Sequence, residues 1–211
     1  MSRGTDAPAL VSCAIMDFGQ SMGKPRVDRK LLLICAALVL AVGAVYWQVW
    51  DFGFIRVDDE LHVSGNPYVL AGIGPQSVRW AFLSGTNTAN WHPLTWLSLM
   101  ADSDLARILT WVFDTEFGRG NSGVYHLTNL AFHLANTLLL FLLLNRLTGF
   151  KWRSAFVALM FGIHPLHVES VAWISERKDV LSTLFWILTT WAYACWVERP
   201  CSGGGERDHQ A

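Results

Sequence analysis

The pattern of apolar and polar positions divides the chain into apolar runs and polar connections. Residues 31–50 carry no charge over about 20 positions, enough to cross the hydrocarbon core of a bilayer as a helix. Tyr46, Trp47 and Trp50 gather at the far end of this run, where aromatic rings prefer the membrane–water interface. A cleaved signal peptide is the competing reading, because Ala41, Gly43 and Ala44 supply small residues. The polar segment before the run and the apolar runs after it favour an uncleaved anchor. A second run covers 126–146. A third, short run covers 150–163, starting at Lys151 and Arg153, and a fourth covers 180–197. The expected fold class is an all-α membrane protein with about four transmembrane helices and a long, helical first outer loop.

The connections have their own patterns. Residues 1–30 and 198–211 are polar, lack helical periodicity and are expected to be disordered tails, both of them cytoplasmic. Residues 51–125 are punctuated by Gly53, Gly65, Asn66-Pro67, Gly72, Gly74-Pro75 and Gly85, which marks a loop carrying short helices. Residues 75–83 suit one such helix, with proline in its first turn. Residues 102–113 suit another, with Asp102, Ser103 or Asp104 as cap and Leu105, Ile108, Leu109 and Val112 as an apolar stripe for the membrane surface. Residues 164–179 are densely charged between two apolar runs. Pro165 lacks an N–H and disfavours a helical conformation at His164, so the incoming helix should end there. Lys and Arg cluster before the first run and at Arg146, Lys151 and Arg153, which places those segments in the cytoplasm. Parity then puts residues 51–125 and 164–179 together on the outer face.

Composition narrows the chemistry. The 211 residues are 52% hydrophobic and only 16% charged, with 11 Trp and a formal net charge of -1. No basic patch with interleaved aromatics appears, so a nucleic-acid partner has no support. Cys13, Cys35, Cys195 and Cys201 show no metal-ligand spacing, and Cys35 and Cys195 lie in apolar runs as small buried residues do.

In the second run His126, Asn129, His133 and Asn136 fall on one helix face. Such a polar face should turn inward and bond to neighbouring helices. Asp58, Asp59 and Glu60 stand together a few residues past the first run; crowded carboxylates near a low-dielectric surface can supply a general base or form an acidic turn in water. His92 stands between Trp91 and Trp96 at a helix start, which suits an interfacial anchor as well as a site. His164, His167 and Glu169 offer three possible metal ligands, but Pro165 breaks the helix that would align them, and no metal is expected. Glycine-rich nucleotide loops, serine elbows and Cys-x-x-Cys pairs are missing from the sequence.

The segments FGFIRVDDELHVSGNPYV, SVRWAF, ANWHPLTWLS, VYHLTNLAFHLANTLLLFLLL, WRSAFVALMFGIHPLHVESVAWISERKDVLSTLFW and AYACWVERP resemble one family. The resemblance is to the N-terminal membrane part of the transmembrane and tetratricopeptide-repeat O-mannosyltransferases, in particular bacterial relatives, within the C superfamily of membrane glycosyltransferases (GT-C). The resemblance covers roughly residues 50–200. It implies a partial GT-C fold in a multi-pass protein, with the bacterial inner membrane favoured over the endoplasmic reticulum. A polyprenyl- or dolichyl-phosphate sugar would be the donor, a protein Ser/Thr hydroxyl the acceptor, and no cofactor would be needed. Asp58 and Asp59 match the family's acidic pair, one of them deprotonating the acceptor, with Glu60 beside them. Arg177, Lys178, His164 and His167 would neutralise the departing lipid phosphate. His92, Glu169, Glu176 and Asp179 complete the expected substrate-binding set. The family carries more spans and helical repeats than appear here, and the ending after Pro200 departs from it. A shortened, inactive chain is therefore expected, with a noncatalytic scaffold as the first rival reading and a His-ligated haem or metal protein as the second.

Overall fold

The computed structural model describes residues 28–56, 58–83, 91–118 and 121–198; the expected tails lie almost wholly outside these, as do Cys13 and Cys201. The chain divides into two units, one ending at Ile34 and one beginning at Cys35. Of the first, the described part is the opening of helix α1 (Arg29–Tyr46), where the Asp28 carboxylate accepts a bond from the Lys30 N–H at 3.0 Å. The second unit holds the remaining architecture. After α1 come a 3-10 turn (Trp47–Asp51), a π-type turn (Glu60–Ser64), α2 (Pro67–Leu70), α3 (Pro75–Leu83), α4 (Pro93–Phe113), α5 (Ser122–Thr148), α6 (Lys151–Ile163), α7 (His167–Ala172), a short 3-10 turn (Ile174–Glu176) and α8 (Arg177–Val197). The described residues contain no strand.

Helix α5 is the hub, packed against α6, α7, α8 and the 3-10 turn after α1. Its inward face is the polar row expected from the sequence: His126, Asn129, His133 and Asn136 are all buried. Each of the last three reaches a backbone carbonyl of a neighbouring segment. Asn129 Nδ2 donates to Val171 O and Trp173 O at 3.4 and 3.2 Å, His133 Nε2 bonds Gly162 O at 2.8 Å, and Asn136 Nδ2 donates to Val180 O at 2.8 Å. The physical need is clear at Val171 and Trp173, where α7 stops and its last carbonyls lack helical partners. The seam thus holds the broken region between α6 and α8 in place. Gly162 lets α6 approach closely, since a Cβ there would fall 2.6 Å from Val42 Cγ2 and 3.1 Å from Thr137.

The outer loop builds its own core. Val63, Val69, Ala81, Trp96, Leu99, Met100 and Tyr125 pack with Ile174, which the charged stretch contributes. Tyr68 stacks on Trp80 at 4.9 Å, and Trp80 meets Trp96 edge-on at 5.0 Å. Aromatic pairs of this geometry add about 0.5–1.5 kcal/mol each beyond the area they bury.

One expectation is revised. Among the described residues three helical stretches, Arg29–Asp51, Ser122–Thr148 and Ile174–Val197, are each long and apolar enough to cross a membrane. The short run forms α6, whose 13 residues reach only about 20 Å. It ends at Ile163 with His164 extended, as Pro165 requires. Residues 102–113 do not begin a helix of their own: α4 is continuous from Pro93, with His92 preceding its first turn. Asp102 and Ser103 are consequently buried inside a helix rather than capping one.

Candidate outer-face site

Residues 52–55 leave the first long helix as an irregular strap, which is tied down at two points. Ser122 Oγ donates to Phe52 O at 2.5 Å. Asp59, fully buried, accepts from Ile55 N at 2.9 Å, from Ser175 N at 3.0 Å and from Ser175 Oγ at 2.6 Å. Among the described residues, the acidic start of the outer loop therefore touches the charged stretch 164–179 through Ser175 rather than through a cation. Three hydrogen bonds fix the Asp59 carboxyl firmly. Asp58 is half-buried and Glu60 exposed, so three adjacent acids occupy three different environments.

Arg177 is not placed to meet a substrate. It is fully buried, and its guanidinium donates through Nε to Asn129 Oδ1 at 2.7 Å, through Nη1 to Ser98 Oγ at 3.1 Å and to Asp102, and through Nη2 to Tyr125 O at 2.7 Å. It clamps the starts of α8 and α5 to the middle of α4. Asp102 also accepts from Thr128 Oγ1 at 2.8 Å. Burial pushes the Asp102 carboxyl above its ordinary range, and the Arg177 charge and the bonds from Arg177 and Thr128 oppose the rise.

The other expected residues spread over the face. Lys178 Nζ pairs with Glu176 at 2.7 Å in a partly exposed bridge. Asp179 accepts from Ser170 Oγ at 3.2 Å. His164 is exposed, and its Nδ1 accepts from Leu166 N at 3.3 Å. His167 lies 5.4 Å from the His133 ring and 6.3 Å from that of His164, centre to centre. Burial pushes the His167 imidazole down, His164 adds to this, and Asp179 opposes it. His92 is half-buried and stands just before the first turn of α4. His126 is fully buried, edge-on to Phe52 at 6.1 Å. Among the described residues no three His, Cys, Asp or Glu side chains gather as a metal site would require.

Beside the strap lies an open cavity of about 540 Å³, lined by Asp51, Phe52, Gly53, Ile55, Val168, Glu169, Ala172 and Trp173. Sequence reading singled out Glu169 but missed Asp51, Ser175 and Trp173, whose relevance arises from chain segments more than a hundred residues apart. Asp102 left one usable signal. It falls on the same helical face as Leu99 and Ala106, where a carboxylate calls for a buried partner.

No family model and no solved structure matches the chain. Curated relatives do. Mouse protein O-mannosyl-transferase TMTC1 is 31% identical over 158 residues, covering 69% of this chain and 15% of that protein. Human TMTC1 is 36% identical over 99 residues, 46% of this chain and 11% of the relative. Mouse TMTC3 is 38% identical over 69 residues, 33% and 7% respectively. The chain thus spans 15% or less of the length of these relatives. With its all-helical build and its long apolar helices, it is a membrane protein and a partial match to the TMTC family of protein O-mannosyl-transferases.

Proposed function

We propose that this chain supplies one wall of a glycosyl-transfer site, where a mannose-type sugar passes from a polyprenyl or dolichyl phosphate to a protein Ser/Thr hydroxyl. The observation that carries the reading is the union of the acidic strap with the charged stretch through Asp59 and Ser175, on the face that also bears the cavity. The relatives' names supply the reaction class.

In this reading Asp58 is the base and Asp59 positions it. Asp59 already accepts three hydrogen bonds, whereas among the described residues no side-chain bond holds the Asp58 carboxylate and its carbonyl accepts from His62 N at 2.8 Å. Asp58 takes the proton of the acceptor hydroxyl. The freed oxygen bonds to the anomeric carbon as the bond from that carbon to the phosphate oxygen breaks, and the lipid phosphate leaves from the opposite side with inversion. Lys178 and His164, both accessible, stabilise the developing phosphate charge. Arg177 holds the frame and does not touch the donor.

The test grafts this chain's matching segment into mouse TMTC1 and measures mannose transfer from a polyprenyl-phosphate donor to a Ser/Thr peptide. Asp58→Asn should abolish transfer at unchanged expression, by at least about 100-fold for loss of a general base. Full activity in Asp58→Asn would refute the assignment of the base.

A further inference from the structure

We infer that a second cavity, between α4 and the entry to α5, is a phospholipid headgroup site, with Arg107, Asn121 and Ser64 as donors to the phosphodiester. It shares no lining residue with the cavity beside the strap, and the inference does not rest on the proposed transfer reaction. The volume, about 370 Å³, lies within the ordinary range of about 300–1,000 Å³ for small-ligand sites. Phe54 and Leu70 give it apolar wall, and Arg107, Asn121 and Ser64 give it polar wall. Among the described residues its lining holds one cation and no Asp or Glu.

The hydrogen bonds already made decide what the lining has left to offer. Asn121 Oδ1 accepts from Phe117 N at 2.9 Å and from Thr110 Oγ1 at 3.2 Å, so the amide keeps its Nδ2 donors for a ligand. The Arg107 guanidinium commits Nη2 to Ala71 O at 3.1 Å and to Asp104, which leaves Nε and Nη1. Asp104 is itself held by Ile73 N at 2.9 Å and does not line the cavity. Ser103 Oγ bonds Leu99 O at 3.3 Å and Tyr125 Oη at 2.7 Å, so these two hydroxyls are largely occupied by each other. What remains is rich in donors and free of acid. A ligand that brings acceptors and one negative charge suits it, and the guanidinium fork matches phosphate oxygens.

The surroundings select a lipid as the source of that phosphate. Helix α5, long and apolar enough to cross the membrane, begins at Ser122, the residue after Asn121, so the cavity stands at the bilayer surface. Around Arg107, the α4 residues Leu105, Ile108, Trp111 and Val112 are exposed, and Trp111 leaves 85% of its surface uncovered. Trp111 follows Arg107 by four positions and so lies beside it on the helix. An indole at headgroup depth, next to an arginine whose stem lies along apolar surface, belongs to a helix at the membrane interface. Acyl chains pack on this row while the phosphodiester enters the cavity; a free phosphate gains nothing from the row.

The experiment is native mass spectrometry of the delipidated full chain in detergent, titrated with dioleoylphosphatidylglycerol. Dioleoylglycerol serves as the probe without phosphate and glycerol 3-phosphate as the probe without tails. Saturable binding of the phospholipid is expected, about tenfold or more tighter than either probe. Asn121→Asp keeps the acceptor for Phe117 and Thr110 and replaces the free donors with a repelling oxygen, so it should weaken the phospholipid about tenfold, the worth of one charge-assisted bond. Arg107→Gln should weaken it to a similar extent. Arg153→Gln, which removes an exposed cation near the other end of α5, should leave it unchanged. Parental affinity in Asn121→Asp would overturn the inference, as would dioleoylglycerol binding as tightly as the phospholipid. Glycerol 3-phosphate binding equally tightly would overturn it in favour of a soluble phosphate, and an equal loss in Arg153→Gln in favour of a general attraction between the chain and anionic lipid.

Discussion

Removing Arg177 should be among the most damaging single changes in this protein, and the damage should be reversible by a second change. Arg177→Met deletes four hydrogen bonds and leaves the Asp102 carboxylate buried without its cation. Breaking a buried pair from one side costs about 3–5 kcal/mol, most of it the penalty of the abandoned charge. Pairing it with Asp102→Leu removes that charge. The double variant should then sit only about 1–2 kcal/mol below the parent, the remainder coming from the lost guanidinium bonds to Asn129 Oδ1, Ser98 Oγ and Tyr125 O. The pH dependence has a definite sign. Arg177 holds the Asp102 carboxyl down against burial, so in Arg177→Met that carboxyl rises further and the folded state holds more protons than the unfolded one. The Asp102 contribution is then complete below the unfolded value of 3.8 and is lost as pH rises through the raised folded value. The deficit of Arg177→Met against the parent should therefore shrink on acidification. Equilibrium unfolding by SDS in bicelles, run at a mildly acidic and a mildly alkaline pH, measures both effects. A single-variant loss below about 1 kcal/mol, or a double variant no better than the single, would refute the buried-charge argument.

Two further outcomes test the frame around the site. In a background lacking other cysteines, single cysteines at Trp152 and Leu166, both exposed, should label from opposite sides of the membrane; labelling from one side would show that α6 does not cross. Gly162→Ala should destabilise the chain by about 1–3 kcal/mol, because the new methyl meets Val42 and Thr137 and α6 must shift from His133. Unchanged unfolding of that variant would remove the close-packing role of Gly162.

Local rules carried the outline of this protein. Runs of uncharged residues gave the long helices, because a bilayer tolerates little else. The spacing of His126, Asn129, His133 and Asn136 gave the buried face of α5, since helical geometry alone aligns them. Pro165 ended α6 where its missing N–H and its ring demanded. The partners could not be read in this way. Asp102 looked like a helix cap because its burial depends on α4 continuing back to Pro93 and on Arg177 arriving from 75 positions away. Arg177 looked like a phosphate ligand because a sequence shows a charge and not the four acceptors that consume it. The same holds for Asp59 and Ser175, 116 positions apart. A residue's type and period fix which face of a helix it occupies, but a buried charge is chosen by what lies opposite, and only the tertiary fold brings that group there.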